Sequence, residues 1–145
     1  MEKAIITIRK MTGVDIRQVR RFPVQLGSRQ SMGLLPKNLR VLMQDRYYRL
    51  LVGERDLQVS AFAGLNFRPV AGSDMNFLVL DVFAADRVGF KRGIADELEA
   101  HATALAKENH AAGVLVSSEQ LGGTALAFYR ERGYVLTGNT WIKEL

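Results

Sequence analysis

No cysteine occurs in the 145 residues, so disulfides, thiolate nucleophiles and thiolate metal sites are all excluded. Histidine is nearly as scarce. His101 and His110 are the only two, and their spacing suits neither a zinc pair nor a catalytic triad. The opening "MEKAIITIRKMTG" is interrupted by charge and lacks the apolar stretch of a signal peptide. No later run is long enough to span a bilayer, so a soluble, cytoplasmic protein is expected. The absence of internal repeats and low-complexity tracts argues against a solenoid or a disordered arm. What the chain does have is a 48% hydrophobic composition, enough to build one globular domain over residues 1–145. Lys and Arg number 20 against 15 Asp and Glu, a net charge of +5. That balance favours an anionic partner: a phosphorylated cofactor, an acidic substrate or nucleic acid.

Ala4 to Ile8 reads as a short strand. Thr12 followed by Asp15 has the form of a helix start leading into Val14, Ile16, Val19 and Phe22, with Pro23 as its stop. Gly27, Ser28, Ser31, Gly33 and Pro36 mark a loop or broken helix between Leu26 and Lys37, after which Leu39, Leu42 and Met43 predict a short amphipathic helix. Tyr47–Val52 and Leu57–Phe67 are β-rich and predict an antiparallel hairpin whose turn is the intervening "GERD". After a second turn at "RPVAGSD", the stretch Asn76–Ala84 is apolar on both faces, which predicts a central strand.

Ile94, Leu98, His101, Ala102 and Leu105 fall at helical spacing between Ile94 and Asn109, with Asp96, Glu97 and Glu99 in the first turns, where the helix dipole favours acids. Gly113 ends the connection and "VLVSS" follows as a strand. Strand, loop, helix and strand make a βαβ unit, so its two strands are expected to be parallel with a right-handed crossover. A second helix over Thr124–Arg132 is closed by Gly133, and short strands follow at Tyr134–Leu136 and Thr140–Lys143. The class is α/β with a mixed, partly antiparallel sheet.

Two stretches carry chemistry. "DRVGFKRGIADEL", Asp86 to Leu98, lies beyond the carboxyl end of the central strand, where ligands of open α/β sheets collect and a helix start offers unpaired N–H groups to an anion. Gly89 and Gly93 would admit backbone close to a pyrophosphate, and Lys91 and Arg92 would add charge. A solvated loop before an ordinary helix fits the same residues, and both readings stand on local grounds. The second stretch is "ALAFYRERGY", an Ala125-x-x-Phe128-Tyr129-x-x-x-Gly133-Tyr134 pattern near the end of the chain.

This second pattern resembles the penultimate helix of the GNAT superfamily, the GCN5-related N-acetyltransferases, and the order of predicted elements is similar to theirs over nearly the whole chain. The ending "FYRERGYVLTGNTWIKEL" further resembles aminoalkylphosphonate N-acetyltransferases. The resemblance implies a mixed, mostly antiparallel sheet with a central splayed parallel pair flanked by helices, and acetyl-CoA as co-substrate. It implies that backbone groups of Val82, Phe83 and Ala84 receive the pantetheine arm. Backbone N–H groups of Gly89, Phe90, Lys91, Arg92, Gly93, Ile94 and Ala95 would hold the pyrophosphate. Tyr129 would protonate the departing thiolate, because a phenol with an ordinary pKa near 10 is protonated at neutral pH. Asp81, on the central strand, is the candidate base, with a structural acid as the competing reading. Transfer would be direct, to a primary amine of a small molecule or peptide. By family habit the protein would be a homodimer.

The sequence departs from the family pattern at Phe90, where Gln or Arg is usual, and at Gly122, where an asparagine is common. The stretch between the strand and Gly93 is also one residue longer than the family pattern. A degenerate GNAT domain that binds an acyl-CoA without efficient transfer is therefore an alternative, as is a basic module contacting nucleic acid or an acidic protein through Arg17, Arg20 and Arg21. Tyr47, Tyr48 and Trp141 read as sheet and core residues, His101 as a partly buried structural histidine, and Ser117 and Ser118 as ordinary strand-end residues. No metal and no membrane are implied.

Overall fold

The densest apolar runs become the longest strands, β4 (Gln58–Pro69) and β5 (Asn76–Ala85), paired antiparallel at the centre of an eight-stranded sheet. The computed structural model describes residues 5–27, 36–69, 74–117 and 121–145. Before β4 come β1 (Ile6–Lys10), a 3-10 turn at Gly13–Asp15 running into α1 (Ile16–Val19), β2 (Val24–Gln25), α2 (Pro36–Gln44) and β3 (Tyr48–Arg55). After β5 come α3 (Arg87–Lys91), α4 (Ile94–Glu108), β6 (Gly113–Ser117), α5 (Gly123–Glu131), β7 (Val135–Thr137) and β8 (Thr140–Glu144). The strands lie in the order β1-β3-β4-β5-β6-β8-β7, with β2 joined to β5, and β5 against β6 is the parallel pair. The mixed, mostly antiparallel sheet with a central parallel pair is as expected. Among the described residues no helix is long and apolar enough to cross a membrane.

Three local expectations are corrected. The first strand runs Ile6–Lys10 rather than Ala4–Ile8, and Ala4 lies outside the described residues. The hairpin turn is not at "GERD": Gly53 to Arg55 are inside β3, and Asp56 and Leu57 make a two-residue connection with φ of 51° and 69°. Positive φ at both central residues is what a twisted two-residue hairpin demands. Gly53 is a glycine for another reason, since a Cβ there would lie 2.6 Å from Ile94 Cγ2 at the start of α4. Finally, α3 forms where a loop was expected. The expected loop at 28–35, the centre of the "RPVAGSD" turn at 70–73, and Ser118 lie outside the described residues.

Alternation along β4 and β5 sends side chains to two cores. Ala61, Ala63, Leu65, Leu78, Leu80 and Phe83 face α4 and α5, while Val59, Phe62, Val82 and Ala84 join Leu50, Val52, Ile16 and Leu39 under α1 and α2. Each large aliphatic buried in this way stabilises the fold by roughly 1.5–3 kcal/mol. Between α4 and the last strands the core holds a charge: the Glu99 carboxylate, 4% exposed, accepts hydrogen bonds from Tyr134 Oη at 2.8 Å, Thr103 Oγ1 at 2.9 Å and Lys143 Nζ at 3.2 Å. These partners supply the compensation that a buried carboxylate requires.

The helix start at Thr12 is a working cap. Thr12 N–H donates to Asp15 Oδ2 at 2.8 Å, and Arg9 donates to both Asp15 oxygens at 2.9 and 3.1 Å. Burial pushes the Asp15 carboxyl up, but Arg9 and Thr12 together outweigh it and hold it below its ordinary value. The stability this adds is complete above the unfolded carboxyl value of about 4 and is lost as pH falls through the lowered folded value. Urea unfolding of wild type and Asp15→Asn should therefore give stabilities that differ at neutral pH and converge in acid. A constant gap from pH 7 to pH 2 would remove Asp15 from the acid transition. Leu57 is 91% exposed at positive φ, a conformation that disfavours side chains by about 1–2 kcal/mol. Leu57→Gly should raise stability by up to about 1 kcal/mol, read from the urea midpoint.

Candidate active site

The site is built by a parting of strands. β5 and β6 pair only over Phe77–Val79 and Gly113–Leu115. Beyond that point β5 continues against β4 to Ala85, while β6 follows β8 to Ser117. A bulge sits at the divergence: Gly64 pairs with Val82 and Leu65 with Leu80, leaving Asp81 as the extra residue on β5. A bulge bends its strand and re-aims a side chain. Here Asp81 Oδ2 accepts a 2.9 Å hydrogen bond from the hydroxyl of Tyr48, which belongs to the core under α1 and α2.

The edge of β5 exposed by this parting was expected to offer backbone groups at Val82, Phe83 and Ala84. That edge carries the chain's own β2 and the two residues after it. Val24 lies opposite Ala85 and Gln25 opposite Ala84, and the N–H groups of Leu26 and Gly27 both donate to Phe83 O, at 2.7 and 2.9 Å. The approach is close enough that a Cβ on Gly27 would fall 2.5 Å from Phe83 N and 2.9 Å from Asp81 O. Leu26 is fully buried in the α4/α5 core, a burial worth about 1.5–3 kcal/mol.

The stretch Asp86–Ala95, where a seven-residue backbone cradle was expected, divides into the short helix α3 and the start of α4. Asp86 caps α3: its N–H donates to Ser60 O at 2.9 Å, and its carboxylate accepts the N–H of Gly89 at 2.6 Å. Phe90 N–H is bonded to Asp86 O and Arg92 N–H to Val88 O. Gly89 is a glycine because a Cβ would lie 2.1 Å from Ser60 O. The donors of Gly89, Phe90 and Arg92 are thus already engaged. Gly93 has φ +84° and opens α4, and among the described residues the N–H groups of Gly93, Ile94 and Ala95 have no backbone acceptor. Successive N–H groups around a left-handed glycine at a helix start form an anion-binding concavity. Lys91 and Arg92 are exposed beside it.

Phe90, the departure from the family pattern, packs its ring on Phe128 at 6.1 Å and thereby joins an aromatic row through Phe128, Tyr129 and Tyr134. A cleft of about 460 Å³ opens among Phe90, Asp96, Thr124, Phe128 and Arg132. Its floor is pinned by Arg132, which pairs with Asp96, donates to Phe128 O at 2.7 Å and stacks on the Phe128 ring at 3.6 Å.

Tyr129 is fully buried, and its hydroxyl donates to the carbonyl oxygen of Leu26. Burial first, then the Glu99 carboxylate, push its phenol well above the ordinary value, so it is a proton donor throughout the neutral range. Tyr129 and Asp81 belong to opposite faces of the sheet, and both meet at Leu26–Gly27. Neither Tyr48 nor Leu26–Gly27 was singled out from sequence for this site, because each arrives through contacts far apart along the chain.

Trp141 is buried in the core, as expected. Tyr48 begins β3, whereas Tyr47 is exposed just before it. His101 is partly buried on α4, and His110 is exposed with φ of 55°. Among the described residues no group of three His, Asp or Glu side chains could hold a metal.

Searched by sequence, the chain matches no protein-family model and no curated protein. Solved structures match it in fold. A transcriptional regulator from Bacillus halodurans C-125 superposes with a TM-score of 0.74 at 19% identity, covering 92% of this chain and 95% of its own. The ribosomal-protein-S18-alanine N-acetyltransferase from Escherichia coli does so with 0.66 at 16% identity, covering 92% and 79%. AtaTR bound with acetyl-CoA gives 0.67 at 20% identity, covering 96% and 92%. The fold is that of the GNAT acetyltransferases.

Because Gly89 sits on Ser60 O, Gly89→Ala should lift α3 from β4 and cost about 1–3 kcal/mol of stability, the usual range for overpacking. An unchanged urea midpoint would mean that this contact does not hold α3 in place.

Proposed function

We propose that this GNAT-fold chain is an acetyl-CoA-dependent N-acetyltransferase that moves an acetyl group directly to a primary amine of a small molecule or peptide. The observation that carries the proposal is the parting of β5 from β6 beside the Asp81 bulge, with the N–H groups of Gly93–Ala95, which have no backbone acceptor among the described residues, following β5 after the short helix α3. Among structures of this fold, one holds acetyl-CoA and another is an N-acetyltransferase, which supports the same reading.

In the proposed reaction the pyrophosphate binds at Gly93, Ile94 and Ala95, with Lys91 and Arg92 adding positive charge. A neutral amine attacks the thioester carbonyl, forming the C–N bond. The C–S bond then breaks, and the thiolate takes its proton from Tyr129. Asp81 accepts the proton that the amine gives up, directly or through a water. No acyl-enzyme is needed, and no cysteine exists to carry one. Burial keeps the Tyr129 phenol protonated throughout the neutral range.

A second reading has its own support. The Phe90 ring is committed to the aromatic row, and Gly122 has no side chain to offer a cofactor. Both favour a domain that binds an acyl-CoA without efficient transfer.

Thermal unfolding with and without acetyl-CoA, followed by thiol release over a panel of primary amines and peptides with free N-termini, separates the two. Enzymatic function predicts a raised midpoint and turnover, with kcat in Tyr129→Phe reduced about 10²–10⁴-fold while the acetyl-CoA thermal shift persists. A thermal shift without turnover on any amine selects the second reading. Turnover unaffected in Tyr129→Phe removes the general-acid role.

A further inference from the structure

The hydrogen-bonding edge of β5 that the proposed acyl-CoA arm needs is occupied by the chain's own residues. We propose that Val24–Gly27 is a strap that closes the acyl-CoA cleft in the free protein, and that its departure both opens the cleft and arms Tyr129. This rests on the acetyltransferase reading above.

Three features make the strap and an acyl-CoA mutually exclusive. First, Phe83 O, which lies on the edge left bare by β6, accepts the N–H groups of both Leu26 and Gly27. An amide of a pantetheine arm cannot take that acceptor while both are seated. Second, the Tyr129 hydroxyl has one proton, and it is donated to Leu26 O. While that bond stands, the proton is not available to a leaving thiolate. Third, the seat fits only a glycine, since any Cβ on Gly27 would collide with the backbone of Asp81, Val82 and Phe83.

The strap is also built to leave. It is a two-residue strand paired to β5 alone, preceded by the exposed Pro23. On its N-terminal side it is steadied by its own local turn, in which Gln25 Nε2 donates to Phe22 O at 2.6 Å. Opening gives up the short β2 pairing, the two bonds to Phe83 O, the Tyr129 bond and the burial of Leu26, and leaves the β4–β5 ladder whole. Closed and open forms are two states of one element, and the apparent affinity for acyl-CoA is the intrinsic affinity reduced by the fraction open. The strap discriminates as well: a molecule too short to displace Leu26 from the core would leave Tyr129 tied.

Amide hydrogen exchange of wild-type protein, with and without CoA, combined with calorimetric titration of CoA into wild type and Gly27→Ala, tests the strap. Expected are Leu26 and Gly27 amides that are protected in the free protein and lose protection on CoA binding, and a CoA Kd at least tenfold lower in Gly27→Ala. CoA binding with those amides still protected, or with equal Kd in the two proteins, overturns the strap and leaves the acetyltransferase reading intact. If CoA binds to neither protein, the acetyltransferase reading fails and the strap falls with it. Should Gly27→Ala not fold, the wild-type exchange data decide alone.

Discussion

A parallel ladder of three residue pairs, Phe77–Val79 against Gly113–Leu115, is the joint on which the rest of the molecule turns. On one side of it β5 is held along its whole length by β4; on the other β6 is drawn away by β8. The parting leaves unpaired strand edge inside the sheet, which is costly unless something satisfies it. The Asp81 bulge deepens the bend at the same level, and two consecutive residues, Asp81 and Val82, then serve the core under α1 and α2. The pairing of β2 with β5, the bulge and the bond from the buried Tyr129 phenol to Leu26 O all lie at that one gap.

The helices on the α4 side are bound to the gap by a connected set of aromatic and ionic contacts. Phe83 on β5 meets Phe128 edge to face at 5.7 Å, Phe128 meets Tyr129, and Tyr129 meets Tyr134. Tyr134 then donates to the buried Glu99, which Lys143 of β8 also reaches. The hydroxyl of Tyr129 thus sits between two anchored elements, and its position follows from packing rather than from any local motif. The same burial that fixes it raises its pKa, so placement and protonation state have one cause.

Much of the fold was legible along the chain. The β-rich run of β4, the largely apolar run of β5, the helical spacing of α4 and the closing Gly133 each specify an element within their own windows, and all four form where expected. Glycine was the weak point. Gly53 looks like a turn residue, yet it lies inside β3 where Ile94 passes too close for a Cβ, and at Gly89 the close neighbour is Ser60 O, a contact that no local window announces. A glycine required by a distant neighbour carries the same letter as one required by a turn. The hairpin at Asp56–Leu57 shows the converse, a positive-φ turn with no glycine in it.

The sequence by itself determined the α/β class, the βαβ unit and the chemical identities of the candidate groups, because periodicity, caps and the Ala125–Tyr134 pattern are local properties. It also set the limits on chemistry, since a chain without cysteine has no thiol nucleophile to offer. Only the tertiary structure decided which backbone donors before Gly93 are engaged, that Tyr48 donates to Asp81, and that Leu26 and Gly27 occupy the edge of β5 while Leu26 O accepts the Tyr129 hydroxyl. Each of these is a pairing between residues far apart in the chain. Whether a hydrogen-bonding group is spent or available depends on which distant segment reaches it, and no window along the sequence contains both partners.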